Sequence, residues 1–102
     1  MLMEFLKARP SRAAGVVSMD VLEEKVLFHP ARQEAISLNV SSAAIWDLCD
    51  GTRTVAEIGH ELSEWAGAPE SDVLADVERI VKQFSELSLL HIDTANQIGE
   101  DA

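Results

Sequence analysis

The hydrophobic period of this chain changes once, and the change falls inside residues 38–58, LNVSSAAIWDLCDGTRTVAEI. Before it, apolar residues alternate with the period of two that a strand requires. After it, they recur every three or four positions, as on a helix. A chain patterned in this way is expected to build a sheet first and then lay helices on it. Within the stretch, Asn39, Ser41 and Ser42 carry short polar side chains that can accept the free N–H groups of a first helical turn. Ala44, Ile45, Leu48 and Cys49 then share one helical face, with Trp46 at its border. Asp50 and Gly51 stop that helix, because glycine enters the left-handed conformation without a Cβ clash. Thr54-Val55-Ala56-Glu57 has the form of a capping box and starts the next helix almost at once.

Upstream, residues 1–12 contain Lys7, Arg9, Pro10 and Arg12 without alternation and read as a mobile N-terminal arm. Val17, Met19 and Val21 alternate with Ser18 and Asp20, the pattern of a half-buried strand. A reversal is expected at Glu23 and Glu24, and residues 25–29 pair back until Pro30 breaks the ladder. Residues 34–38 alternate again, with Ile36 and Leu38 inward and Ala35 and Ser37 outward. The result is a three-stranded antiparallel meander, too small to stand without helices covering one face. Ala35 and Ser37 are small and neutral, so nothing guards the third strand against pairing with another chain. Either that edge is meant to be paired, or the strand is central and needs no guard.

Downstream, residues 55–66 place Val55, Ile58, Leu62 and Trp65 on one stripe. A third helix, residues 70–88, holds Val73, Val77, Ile80, Val81, Phe84 and Leu87 on one face, with Glu70 and Asp72 complementing its N-terminal dipole. Leu89 to Ile92 read as a short apolar finish. Residues 13–92 form the folded domain, and residues 93–102 are an acidic flexible tail.

The chain of 102 residues has room for one core, and its 47% apolar and 25% charged residues are ordinary for a globular domain. No apolar run reaches the roughly 18 residues of a membrane span, and no signal-peptide core is present, so the protein reads as soluble and cytoplasmic. The net charge of −10 is uneven. Residues 1–40 carry five basic and five acidic side chains, whereas residues 41–102 carry three basic and thirteen acidic ones. Such a helical half repels phosphate and points to basic or neutral partners.

No catalytic, cofactor-binding or metal-binding residue is predicted. His29, His60 and His91 stand apart without companions at ligand spacing, and Cys49 is alone, which fits a small core residue. There is no nucleophile–base grouping and no phosphate-cradling loop. A small binding module is the expected class.

Several elements together, Leu38-Asn39, Ala43-Ala44-Ile45-Trp46-Asp47-Leu48-Cys49-Asp50-Gly51, Arg53-Thr54-Val55-Ala56-Glu57-Ile58, Asp76-Val77-Glu78 and a closing Leu89-Leu90, resemble the PqqD family. The resemblance covers about residues 16–90. It departs mildly at Ser88, where family members often carry glycine before the two leucines. What it implies is an α+β, winged-helix-like fold in which a three-stranded antiparallel β-meander is followed by a three-helix bundle. It further implies a non-enzymatic chaperone that binds the leader segment of a ribosomally made precursor peptide. Such a chaperone presents the peptide to a modifying enzyme, which in pyrroloquinoline quinone biosynthesis is of the radical S-adenosylmethionine type. Related domains serve other products, so the pathway stays open.

Carried onto this sequence, the resemblance implies a leader strand added along Glu34, Ala35, Ile36, Ser37 and Leu38. Its groove wall comes from Val73, Asp76, Val77, Ile80 and Phe84. Ile36→Pro is then the expected disruptor, by deleting a ladder donor. Two other readings remain beside this one: a winged helix-turn-helix DNA-binding regulator, disfavoured by the acidic helices, and an adaptor that pairs the same edge with its own copy as a homodimer.

Overall fold

A computed structural model describes residues 2–93. The elements run α1 (Leu2–Lys7), β1 (Arg9–Arg12), β2 (Val17–Val21), β3 (Glu24–His29), β4 (Glu34–Leu38), α2 (Val40–Leu48), α3 (Val55–Ala66), α4 (Glu70–Glu86) and β5 (Leu90–Asp93). One sheet is an antiparallel meander in the order β2-β3-β4, and a separate two-stranded ladder joins β1 to β5. The fold is α+β, with the meander followed by three helices, as the change of period predicts.

The caps form where the sequence places them. Asn39 accepts the N–H of Ser42 at 2.8 Å, which starts α2 one residue after β4 ends. Thr54 accepts the N–H of Glu57 at 3.1 Å while Glu57 accepts the N–H of Thr54 at 2.8 Å, completing the box at the head of α3. A cap of this kind stabilises a helix by about 1 kcal/mol. Gly51 and Gly67 take positive φ of 86° and 68° at the two helix exits.

The core is assembled from Leu27 and Leu38 of the sheet, Ile45 and Trp46 of α2, Val55 and Ile58 of α3, and Val77, Ile80, Val81 and Phe84 of α4, closed by Leu89 and Leu90. Trp46 is core rather than border: its ring meets Phe84 edge to face with centroids 5.6 Å apart, while Ala44 and Leu48 are only half-buried. Helices α3 and α4 touch at Gly59, where an added Cβ would lie 2.8 Å from Leu74 Cδ1.

Three expectations are corrected. The segment expected to be a mobile arm is, over residues 2–12, α1 and β1. Ala8 and Pro10 are buried, and Phe5 and Leu6 pack on the core. Backbone bonds tie this segment at several points: Val55 donates to Ala8, Gly51 to Pro10, and Arg12 to Cys49, at 2.9, 2.9 and 3.1 Å. The partner strand lies at the far end of the chain, and Pro10 is tolerated because β1 is an edge strand.

The second correction concerns β2. Val17, Met19 and Val21 are 45%, 45% and 49% exposed. The register Val17↔Phe28 and Phe28↔Ala35 puts them on the sheet face opposite Leu27, Ile36 and Leu38. The reversal after β2 is Leu22-Glu23, one residue earlier than expected, with Leu22 at φ 58°. The third concerns the C-terminus: the chain is still in β5 at Asp93, and the rest of the expected tail lies outside the described residues.

Candidate peptide-binding site

Among the described residues strand β4 pairs with β3 on one side only, which leaves its other edge open. The two-residue hairpin makes Val21↔Glu24 a hydrogen-bonded closing pair, and bonded and non-bonded pairs then alternate along the ladder. The backbone groups of Glu24, Val26 and Phe28 therefore point to β2, and those of Lys25, Leu27 and His29 point to β4. Their partners Leu38, Ile36 and Glu34 are committed to β3. The N–H and C=O groups of Ala35 and Ser37 are left directed outward. Ile36→Pro consequently breaks the sheet itself; the outward donors belong to Ala35 and Ser37.

The side chains along this edge leave it accessible. Ala35 and Ser37 are exposed and small, and the Ser37 hydroxyl donates to Glu24 at 2.7 Å across the outer face. Glu34 is exposed and held 3.1 Å from Arg32. Ile36 is half-buried and Leu38 buried, so the strand is anchored to the helical layer from its inner face.

On α4 the expected groove wall divides. Val77, Ile80 and Phe84 are 0%, 4% and 4% exposed and belong to the core. Phe84 packs edge to face on Trp46 of α2, and β5 lies against α4. Val73 is half-buried and Asp76 exposed. These two and Val77 line a recess of about 230 Å³ completed by Ser41, Ile45, Leu62 and Trp65. No β4 residue lines that recess, so strand edge and helix recess are two separate features. Asp76 sits 3.5 Å from Arg79 with both side chains more than half exposed, a pairing that contributes little.

Sequence reasoning missed Ser41, Ile45, Leu62 and Trp65 as recess residues. The stripe Val55, Ile58, Leu62, Trp65 carried the signal: α3 outruns the core at its C-terminal end, leaving Leu62 half-buried and Trp65 75% exposed.

Asp50 and Glu61 both engage Arg53, at 3.0 and 2.8 Å, and the Thr52 hydroxyl and N–H hold the Asp50 carboxyl below its usual range. Burial pushes the Cys49 thiol up to about 12, so it stays protonated at neutral pH and is a poor nucleophile. Among the described residues no group of three or more His, Cys, Asp or Glu side chains could hold a metal ion, and no helix is long and apolar enough to cross a membrane.

Comparison with known proteins supports the architecture. In a search of curated proteins, none matches at a significant level. Among solved structures, TbiB1 in complex with the TbiA(beta) leader peptide superposes with a TM-score of 0.71 at 21% identity, covering 79% of this chain and 94% of that one. The solution structure of the PqqD truncation of Methylobacterium extorquens PqqCD, described as a functional and stand-alone RiPP recognition element, superposes with a TM-score of 0.69 at 23% identity. It covers 80% of this chain and 87% of that one. Both likenesses establish a shared fold. The sequence profile of the family described as Coenzyme PQQ synthesis protein D (PqqD) matches residues 24–90, from the start of β3 to the start of β5. The chain belongs to the PqqD family.

Proposed function

We propose that this chain is a non-enzymatic recognition element, which binds the leader segment of a ribosomally made precursor peptide and presents it to a modifying enzyme. The observation that carries the reading is the open, unguarded and core-anchored edge of β4. A leader in extended conformation adds there as a fourth strand, bonding the outward backbone groups of Ala35 and Ser37. This mode draws affinity from main-chain bonds and selectivity from side-chain pockets. The recess at Val73, Asp76 and Ser41 takes side chains of the leader beyond the strand, with Asp76 favouring a basic one. That the fold neighbour TbiB1 was solved with a leader peptide supports the reading. The partner enzyme is of the radical S-adenosylmethionine type if the chain serves quinone biosynthesis, and the protein works in the cytoplasm.

A second reading, a homodimerising adaptor, is favoured by one observation: the outer sheet face gathers Val17, Met19, Val21, Val26 and Phe28. One experiment separates the two. Tagged protein is captured from its native host and the small eluting peptides are sequenced, while sedimentation reports its mass. Recovery of an encoded peptide whose unmodified N-terminal segment rebinds the purified protein supports recognition. A dimer that retains no peptide overturns it in favour of the adaptor.

A further inference from the structure

We propose that the surface along the outer side of α2, between the tip of the β2–β3 hairpin and the last turn of α3, is a second docking site for a cationic amphipathic segment of the modifying enzyme. The identity of that partner rests on the recognition reading above; the chemistry of the segment rests on the surface alone.

Two recesses adjoin along α2. One, of about 360 Å³, lies between Leu22 on the hairpin and Val40 and Asp47 on the helix. The next, of about 310 Å³, shares Ala44 and Asp47 with the first and continues to Leu48, Glu61 and Trp65. Apolar side chains stand at both ends and beside the path: Leu22 is 98% exposed, and Val40 and Trp65 are each 75% exposed. Isolated apolar residues on a surface are ordinary, but three along one continuous depression mark an interaction site.

Charge selects the occupant. Asp20, Glu23, Glu24, Asp47 and Glu61 line the two recesses against the single cation Lys25. Lys25 is already engaged, 3.5 Å from Asp20 and 3.9 Å from Asp47. A segment with Lys or Arg beside long apolar side chains complements this surface, whereas a second copy of a chain carrying −10 brings like charge to it.

Leu22 adds an independent observation. It is a non-glycine residue at φ 58°, and its side chain gains almost no burial in the free protein. Strain maintained at a fully exposed apolar tip is accounted for when that tip inserts into a partner. The outward groups of Ala35 and Ser37 are not part of either recess, so the strand-added part of the leader stays clear of this surface, while Trp65 borders both the second recess and the one that takes leader side chains.

The test is a ¹⁵N-resolved NMR titration of the full chain. The probe is a synthetic amphipathic peptide with Leu and Trp on one face and Lys on the other, with a Glu-for-Lys version as control. The Lys peptide is expected to saturate shifts at Leu22, Val40, Ala44, Asp47 and the Trp65 indole, and the Glu peptide to leave them unmoved. Asp47→Lys and Leu22→Asn, both at exposed positions, should each weaken it by about fivefold or more. Shifts centred on β4 or on the outer sheet face overturn the proposal, as do unchanged affinities in both variants. Concentration-dependent shifts at the same residues without peptide also overturn it and assign the surface to self-association. The captured leader is titrated in parallel and should bind both variants as it binds wild type. Loss of leader binding by the wild-type protein overturns the recognition reading and leaves the cationic site standing.

Discussion

The two edges of the three-stranded sheet have the same length and the same unpaired backbone, yet they differ in what stands behind them. Strand β4 buries Leu38, half-buries Ile36 and runs directly into the capped start of α2. Strand β2 is exposed at all five positions and runs into a strained two-residue turn. An incoming strand pays the ordering cost of whatever it pairs with. The edge held by the core is pre-organised, and the free-standing hairpin is not. Open backbone groups alone do not make a binding edge; anchoring decides which of two open edges is used.

This contrast can be broken most forcefully from the core side. Leu38→Ala removes the buried anchor of β4 and should cost about 2–5 kcal/mol. Met19→Ala on the exposed face of β2 should stay within about 0.5 kcal/mol. Urea unfolding of the two variants measures the difference, and equal losses would erase the distinction between the strands.

A matched pair of prolines sharpens it next. Ser37→Pro and Ser18→Pro each delete an outward-directed N–H, one per edge. Calorimetric titration of the captured leader should show about a tenfold or greater loss for Ser37→Pro, near 1.4 kcal/mol, and less than about twofold for Ser18→Pro. A smaller effect belongs to the turn of the loose edge. Leu22→Asn replaces a residue that resists positive φ with one that tolerates it, and should raise stability by up to about 1 kcal/mol.

The smallest effect belongs to the helical layer. His60 on α3 lies 3.1 Å from Glu70 at the head of α4 and 3.3 Å from Glu64, and the hydrogen bond to Glu70 raises its pKa above the usual 6.5. The charged form is favoured in the folded state, so its stabilisation is complete below about pH 6.5 and is lost as pH rises through the raised folded value. Thermal unfolding should show a slight fall in Tm over that window in wild type, relative to His60→Gln.

Much of this arrangement is legible in the sequence because its determinants are local. The alternation of Ala35, Ile36, Ser37 and Leu38 marks β4 to the residue, and the side chains of Asn39, Thr54 and Glu57 fix where two helices start. What escapes reading depends on distant partners. The β1–β5 ladder pairs Pro10 with Ile92 from opposite ends of the chain; β1 has no alternation of its own, and that of Leu90, His91, Ile92 and Asp93 is only four residues long. Ile80 and Phe84, carried into the groove wall by the family resemblance, are core in this structure. In β2 the alternation of Val17, Met19 and Val21 gives the correct period but cannot tell which face the helices occupy.

Hydrogen exchange at single-residue resolution, with and without the captured leader peptide, tests the central claim most directly. The account predicts that the amides of Ala35 and Ser37, exposed in the free protein, become protected on binding, while those of Ser18 and Asp20 continue to exchange at their free rates. Protection at Ser18 and Asp20, or binding with no change at Ala35 and Ser37, would contradict it.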